Sequence, residues 1–293
     1  MNPSSAYYAS HLRYELCVRN REYARANKLA YVESYGSIPA IVYRPDDVSH
    51  GNFLRETYAA ILENPDWRRR LGKIHAQART SLPACEYRWK ELDSCTSSDA
   101  LLMNVFCFPG VLSDLRVLGL LGVEKNADAT FGFKARVPFK PGLLDRTEVD
   151  LKIGNLLIEA KLTESDFQTA DREVVRGYRD FKNTFDIKAL PATKRRLLSY
   201  QLIRNVLAAY AMGCSFCVLL DERRPDLIDQ WFRVMSSVKV PELRLRCKVL
   251  TWQELTFVLP TALQDWLESK YAITAPGRAP AKPLGIHNLQ SDE

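Results

Sequence analysis

Two runs of residues that alternate between polar and apolar types are separated by only Gly154 and Asn155. The runs cover Thr147–Ile153 and Leu156–Thr163. Alternation with a period of two is typical of β-strands, and a glycine-containing pair between two such runs is typical of a tight turn. The sequence therefore predicts an antiparallel β-hairpin, which any fold of this chain must contain.

The rest of the chain supplies helices and further strands around this hairpin. Upstream we predict a strand over 130–138 and helices over 100–108 and 111–121, the first of them behind a capping cluster at 96–99. Downstream the predicted elements are a helical stretch at 171–185, a helix at 194–212, a strand at 215–220, a helix at 226–236, a strand at 247–251 and a helix at 253–271. Strands separated by helices pair in parallel, so this order predicts an α/β fold with a mixed central sheet flanked by helices.

The two ends of the chain differ from this core in composition and in predicted secondary structure. Residues 1–85 form a mostly helical N-terminal region, with amphipathic stretches at 7–30 and 52–78. Residues 273–293 are rich in proline and polar types, which predicts a disordered tail. We therefore divide the chain into an N-terminal region at 1–85, a core at 86–272 and a tail at 273–293.

Composition excludes several classes of function. No run approaches the roughly 20 apolar residues that a membrane span requires, so we expect no membrane association and a cytoplasmic location. The seven cysteines lie in apolar surroundings, which favours buried thiols over disulfides. The four histidines lack the spacing of metal ligands, and the chain has no glycine-rich phosphate loop, which argues against zinc chemistry and ATP hydrolysis.

Basic residues exceed acidic ones by only 41 to 35, so their distribution is more informative than their number. They cluster at 68–70 with Lys73, at 194–196, and at Arg244, Arg246 and Lys248. Each cluster is suited to contacting phosphate groups, although a solvated helix face explains any single cluster equally well.

Charged residues of the hairpin share a face. Side chains alternate across a strand, so Glu148 and Asp150 point to one side, and on the partner strand Glu159 and Lys161 do the same. Two carboxylates and an ammonium group can therefore converge, while Ile158 and its even-numbered neighbours Ala160 and Leu162 face an apolar layer. Cross-strand ion pairs on an exposed hairpin are the alternative, but the second strand reads as buried, where unpaired charge is costly.

This arrangement suits phosphodiester hydrolysis, which requires neutralisation of negative charge and a hydroxide formed near neutral pH. Carboxylates that hold Mg²⁺ meet both needs, and Asp150 and Glu159 are hard oxygen ligands. Lys161 would orient or deprotonate the attacking water or offset charge on the phosphorus. We expect its neighbours and the metal to lower its pKa.

At these residues the sequence resembles the PD-(D/E)XK (restriction-endonuclease-like) nuclease superfamily: Asp150 is followed after eight residues by Glu159-Ala160-Lys161 on the adjacent predicted strand. The resemblance covers roughly residues 86–260. It implies that Asp150 and Glu159 bind Mg²⁺, for which Mn²⁺ would substitute, and that Lys161 is the catalytic lysine. It also implies a restriction-endonuclease-like core for the predicted sheet.

Many members of the superfamily add an acidic residue from the helical segment before the hairpin. Glu91 and Asp99 are the two choices here, and we favour Glu91 because Asp99 also fits a first-turn residue that complements a helix dipole.

The predicted helix at 194–212 carries a polar stripe of Gln201, Arg204 and Asn205. We expect Gln201 and Arg204 to touch substrate phosphate or the metal's surroundings, with a solvated helix face as the alternative. Asn205 stands where one branch of the superfamily has tyrosine.

These features together predict a Mg²⁺-dependent deoxyribonuclease with Asp150, Glu159, Lys161, Glu91 and Gln201 in its active site. The alternative is a nucleic-acid-binding or protein-interaction module on the same fold without cleavage. The expected partner is nucleic acid, with DNA preferred over RNA, and cutting both strands of a duplex would favour a homodimer.

Overall fold

The computed structural model describes residues 3–34, 37–74 and 90–277. Its helices are α1 Pro3–Ala26, α2 Arg55–Glu63, α3 Pro65–Arg70, α4 Ser98–Phe106, α5 Leu115–Leu121, α6 Arg172–Arg176, α7 Phe181–Thr184, α8 Tyr200–Met212, α9 Pro225–Met235, α10 Pro241–Leu245, α11 Trp252–Thr256 and α12 Thr261–Tyr271. Its strands are β1 Tyr31–Glu33, β2 Ile41–Tyr43, β3 Ala129–Lys134, β4 Val137–Pro138, β5 Leu144–Asp145, β6 Glu148–Ile153, β7 Leu156–Ala160, β8 Thr169–Asp171, β9 Arg196–Leu198, β10 Ser215–Leu220 and β11 Cys247–Thr251.

The central sheet has five strands in the order β11-β10-β7-β6-β3. The strands β3, β6 and β7 pair antiparallel, whereas β7, β10 and β11 pair in parallel. A parallel neighbour requires a crossover connection, and α8 lies in the connection between β7 and β10. The predicted α/β fold with a mixed sheet and flanking helices is confirmed.

The predicted hairpin is β6–β7. Its register pairs Leu151 with Ile158, and Gly154 begins the turn with a φ of 52°. A Cβ atom on Gly154 would lie 2.9 Å from the Cβ of Ala127, so both the backbone angle and the available space require glycine here. The turn therefore fixes which residues of the two strands stand opposite each other.

Each face of the sheet is covered by its own apolar core. On one face Leu157 and Val218 pack with α8 and α9 residues such as Val206 and Trp231. On the other face Ile158, Ala160 and Leu162 pack with residues of α4, α5, α11 and α12. The predicted apolar side of β7 is confirmed, and the opposite side of the same strand carries Glu159.

The first helix belongs to the second of these cores. Leu12 and Leu16 of α1 are buried together with Leu267 and Tyr271 of α12. The amide of Asn20 donates to the Lys270 carbonyl oxygen over 3.1 Å. Helix α1 is thus packed against the last helix of the described chain.

The domain division stays a prediction, because residues 75–89, which contain the boundary at 85, lie outside the described residues. Ile273 is fully buried and Ala275 nearly so, although both fall in the segment predicted as tail. The packed part of the chain therefore reaches at least to Ala275, and residues 278–293 lie outside the described residues.

The predicted helix over 194–212 is wrong in its first part. Helix α8 begins at Tyr200, and the residues before it form β9, which pairs antiparallel with β8. Ser199 has a φ of 56°, a left-handed conformation that cannot continue a helix, and Leu197 is buried. Pairing with β8 gives this segment its strand conformation, and the local sequence pattern does not predict such pairing.

The predicted helix over 253–271 is also wrong in its continuity, because it is two helices, α11 and α12, separated at Pro260. The stretch at 52–78 is divided in the same way: Asn64 caps α3 by accepting from the backbone N–H groups of Asp66 and Trp67. Proline and capping residues end one helix and start the next, so each interruption has a local cause.

Within the described ranges, no helix combines the length and the apolar composition that crossing a membrane would require.

Candidate active site

Asp150 lies where the two strands of the hairpin separate. Backbone pairing between β6 and β7 extends from the turn as far as Leu151 and Ile158. One residue further, the Asp150 carboxylate accepts the Ala160 N–H over 2.8 Å. The side chain thus takes over a hydrogen bond that strand pairing would otherwise make, and this contact holds its carboxylate beside β7.

Glu159 is 2% exposed, and both of its carboxylate oxygens have partners. Oε1 pairs with Lys161 Nζ at 2.6 Å, and Oε2 accepts from Asn205 Nδ2 at 2.8 Å. Because Asn205 belongs to α8 and Lys161 follows β7, the crossover helix and the hairpin together fix this carboxylate.

A further link extends this chain of contacts back to β6. Arg204 donates through Nε and Nη2 to Asn205 Oδ1, at 3.1 and 2.8 Å. Its Nη2 also donates to the Glu148 carbonyl oxygen at 2.8 Å. Arg204 and Asn205 are both buried, so the alternative of a solvated helix face is wrong for Arg204.

Lys161 is 4% exposed, and its Nζ lies 5.8 Å from the centre of the Phe167 ring. Burial alone lowers the pKa of Lys161, but the carboxylates of Glu159 and Glu164 outweigh it, and the net pKa is raised. The expectation that its neighbours lower the pKa is therefore wrong for the protein without metal. Lys161 is an ammonium ion at neutral pH.

Asp150 has no ion-pair partner among the described residues. Burial raises the pKa of its carboxyl well above the ordinary value, and the charges of Glu159 and Asp99 raise it further. Asp150 and Glu159 are called the acidic pair below, and the charge of Lys161 acts on both. Asp150 is thus a partly buried carboxyl beside like charge, with no ion pair in the described part of the chain to offset it.

The two choices for a third carboxylate lie close to each other. Asp99, in the first turn of α4, is buried and pairs with Arg70 at 2.8 Å and Lys73 at 2.6 Å. Glu91 pairs with Lys73 at 3.1 Å, and burial together with the charge of Asp99 raises its pKa. The charge of Asp99 contributes to the raised pKa of Asp150, whereas the role of Glu91 stays a prediction.

Gln201 lies in the first turn of α8. Its backbone N–H donates to the Phe167 carbonyl oxygen at 2.9 Å, beside the ring that Lys161 approaches. Its side-chain Oε1 is buried and accepts no hydrogen bond from the described residues. Buried polar atoms are nearly always satisfied, so Gln201 has an acceptor available for a bound molecule.

The donor set fits a divalent cation held by few protein ligands. No three Asp, Glu, His or Cys residues of the described chain come together as a complete metal cage. Mg²⁺ keeps several waters and is commonly bound by one or two carboxylates, which the acidic pair supplies. Burial and repulsion by neighbouring carboxylates together raise the pKa of Asp150, and a cation here would oppose both effects.

Comparison with protein-family models gives a match over residues 15–272 to a family described as restriction endonuclease associating with ARP. The match includes the β6–β7 hairpin, the crossover helix α8 and the second half of α1. No curated protein and no solved structure matches the chain.

Proposed function

Because this chain belongs to the family of restriction endonucleases associating with ARP, we propose that it is a Mg²⁺-dependent nuclease that hydrolyses phosphodiester bonds in DNA. A restriction-endonuclease-like family implies a nuclease with a nucleic acid as its substrate. Mg²⁺ dependence, the choice of DNA and the identity of the catalytic residues are the proposed parts.

The observation that carries the proposal is the convergence of Asp150, Glu159 and Lys161 at the open end of one hairpin. Two carboxylates lie together beside a single ammonium group, and Asp150 has no cation of its own among the described residues. A purely structural ion-pair network would balance its charges, since unpaired buried charge is destabilising. The imbalance supports a role that includes a further cation.

The acidic pair would hold the metal, with Mn²⁺ as a substitute for Mg²⁺. When bound there, Mg²⁺ would supply a water of lowered pKa and would neutralise charge on the reacting phosphate. The residues of the chain contribute the geometry: Asn205 and Lys161 keep the Glu159 carboxylate from rotating, and the Ala160 N–H does the same for Asp150.

Lys161 contributes a fixed positive charge. Its ammonium group is held 2.6 Å from Glu159 and is shielded from solvent, so its field acts in a region of low dielectric constant. A preorganised charge directed at developing negative charge is worth several kcal/mol in enzyme active sites. We therefore assign Lys161 to stabilising the charged phosphate and orienting the attacking water.

The function is tested with the purified protein on supercoiled plasmid, linear duplex, single-stranded DNA and RNA. Each substrate is combined with Mg²⁺, Mn²⁺, Ca²⁺ or chelator, and Glu159→Gln is the matched variant. We expect DNA cleavage with Mg²⁺ and Mn²⁺ and none with chelator or with the variant. DNA binding without cleavage under all conditions would instead support the non-catalytic binding module, and cleavage by the variant would locate the reaction elsewhere.

Asn205 should act as a positioning residue for Glu159. In an Asn205→Asp protein the donor to Glu159 is lost while the acceptor for Arg204 is kept, so the change removes one hydrogen bond and adds a like charge. We expect cleavage rate or Mg²⁺ affinity to fall roughly 10- to 100-fold, as for other residues that orient metal ligands.

Cleavage kinetics and calorimetric Mg²⁺ titration measure this effect. Asn155→Asp, the same change at an exposed residue of the hairpin turn, is the control and should behave like the wild type. Wild-type kinetics in Asn205→Asp would mean that Glu159 is oriented without the amide.

A further inference from the structure

Two basic side chains from the N-terminal region reach the carboxylates around the acidic pair. Arg70 ends α3, and Lys73 follows three residues later. Both contact Oδ2 of Asp99, Arg70 through Nη2 at 2.8 Å and Lys73 through Nζ at 2.6 Å. Residues far from the hairpin in sequence therefore supply positive charge at its edge.

Arg70 spans two elements of the site. Besides Asp99 on α4, its Nη1 contacts Glu148 on β6 at 3.1 Å, two residues before Asp150. Its side chain is only 14% exposed, and its buried Nε has no acceptor among the described residues. The guanidinium group is thus enclosed beside the acidic pair and has a donor to spare.

The central sheet accommodates this guanidinium group. Gly132 of β3 has a φ of 64°, and a Cβ atom there would lie 2.2 Å from Arg70 Nη1 and 3.0 Å from the Glu148 carboxylate. Any larger residue would displace Arg70 from its position. The strand therefore has a glycine at the point where the arginine crosses it.

Lys73 lies beside Arg70 at the same carboxylate, so Asp99 has two cationic partners. It contacts Glu91 at 3.1 Å as well as Asp99, so the two basic groups share one carboxylate oxygen. Arg70 and Lys73 are thus held side by side by three carboxylates, those of Asp99, Glu91 and Glu148. Adjacent cations with several donors are suited to an anion with several oxygens, such as a phosphate.

We propose that Arg70 and Lys73 form a phosphate-binding pair that engages the DNA backbone next to the acidic pair, and that Asp99 and Glu148 hold this pair ready in the DNA-free protein. The inference rests on the proposed function, because it assigns the substrate-binding groups of that same site. It gives the N-terminal region a direct role in binding the substrate.

Electrostatics connects this pair to the metal. In the DNA-free protein the two cations offset part of the negative charge of the carboxylates around the acidic pair, and a divalent cation bound nearby would offset the rest. An incoming phosphate would then be repelled less, so metal and DNA should each raise the other's affinity. Arg70 and Lys73 should carry a large share of that coupling.

The test compares Arg70→Gln, Lys73→Gln and the double variant with Arg116→Gln, which removes the same charge from an exposed ion pair with Asp114. Binding of a duplex oligonucleotide is measured by fluorescence anisotropy over a range of salt, in Ca²⁺ and in chelator, with a gel to check that the DNA stays intact. Calorimetry without DNA gives the Mg²⁺ affinity of each protein, and thermal melts check folding.

We expect each single variant to bind DNA roughly three- to tenfold more weakly, with the slope of log affinity against log salt reduced by about one. Mg²⁺ affinity without DNA should be unchanged or higher, because a neighbouring positive charge is gone. The Ca²⁺-dependent gain in DNA affinity should shrink in the double variant. Arg116→Gln should leave all three quantities as in the wild type.

Wild-type DNA affinity and salt slope in Arg70→Gln and Lys73→Gln would overturn the inference and leave the proposed function standing. Failure of the wild type to bind or cleave any DNA would instead refute the proposed function. If Arg70→Gln does not fold, Arg70→Lys and Lys73→Gln decide the matter. The former should keep the salt slope because it keeps the charge, and the latter should lose about one unit of it.

Discussion

A Lys161→Met protein is expected to lose at least about 100-fold of its DNA cleavage rate while it keeps its affinity for Mg²⁺. Methionine preserves most of the apolar length of the side chain but removes the ammonium group that lies 2.6 Å from Glu159. Lysine is no ligand for a hard cation, so metal binding should persist. The loss should be the same across the neutral pH range, because the raised pKa of Lys161 keeps it charged throughout that range.

Without metal the same protein should melt at a lower temperature than the wild type, since Glu159 loses its cation and keeps only Asn205 as a partner. Added Mg²⁺ should restore much of that loss by replacing the missing charge. Lys152→Met, on β6, is the control, because the Nζ of Lys152 contacts the Gly154 carbonyl oxygen rather than a carboxylate. A folded Lys161→Met protein that cuts DNA at the wild-type rate would refute the assigned role.

An Asp150→Asn protein is expected to be inactive and yet more stable than the wild type when no metal is present. The folded-state pKa of Asp150 lies above its ordinary value, so protonation stabilises the fold at low pH and that stability is lost as pH rises through the raised pKa. At neutral pH the folded protein therefore lacks this stability, because its surroundings disfavour the ionised form of Asp150. Asparagine removes this charge, and we expect a gain of about 1 kcal/mol, because Asp150 is partly exposed and water weakens the repulsion.

Thermal melts in chelator over a series of pH values measure this effect, and calorimetry measures the expected loss of Mg²⁺ binding. Wild-type stability should rise as pH falls from the raised pKa toward the ordinary pKa of an aspartate, whereas Asp150→Asn should lack this rise. Asp145→Asn is a control of opposite sign. Burial raises the pKa of Asp145, but hydrogen bonds from Thr147 and Tyr178 outweigh burial and lower it.

Because the pKa of Asp145 is lowered, its carboxylate stabilises the fold at neutral pH and that contribution is lost as pH falls. Asp145→Asn should therefore melt below the wild type at neutral pH. An Asp150→Asn protein that also melted below the wild type in chelator would mean that the fold does not disfavour the Asp150 carboxylate.

The hairpin could be predicted from sequence because all the interactions that define it are local. A two-residue turn with Gly154 sets the register, and a period of two then assigns Asp150, Glu159 and Lys161 to their sides of the sheet. The strands β10 and β11 of the same sheet also have the bounds that the sequence predicts, since short apolar runs between helices favour buried strands.

Contacts between distant segments could not be predicted in this way. Residues 196–198 have a helical pattern but form β9, because pairing with β8 outweighs local preference. Arg204 and Asn205 were assigned to a polar stripe, and only the packing of α8 on the sheet shows them to be buried partners of β6 and Glu159. Nothing in the spacing of Arg70 and Asp99 indicates that they meet.

The packing of α1 against α12 has a consequence for how this protein is made. Leu12 and Leu16 reach the sheet only in a layer completed by Leu267 and Tyr271, about 250 residues later in the chain. A nascent chain that has emerged only as far as the hairpin already contains Asp150, Glu159 and Lys161, yet it lacks the segment that closes this layer. Synthesis therefore delays complete packing of this face of the sheet until translation has passed α12, and a prematurely terminated product would expose apolar surface for chaperones and proteases to recognise.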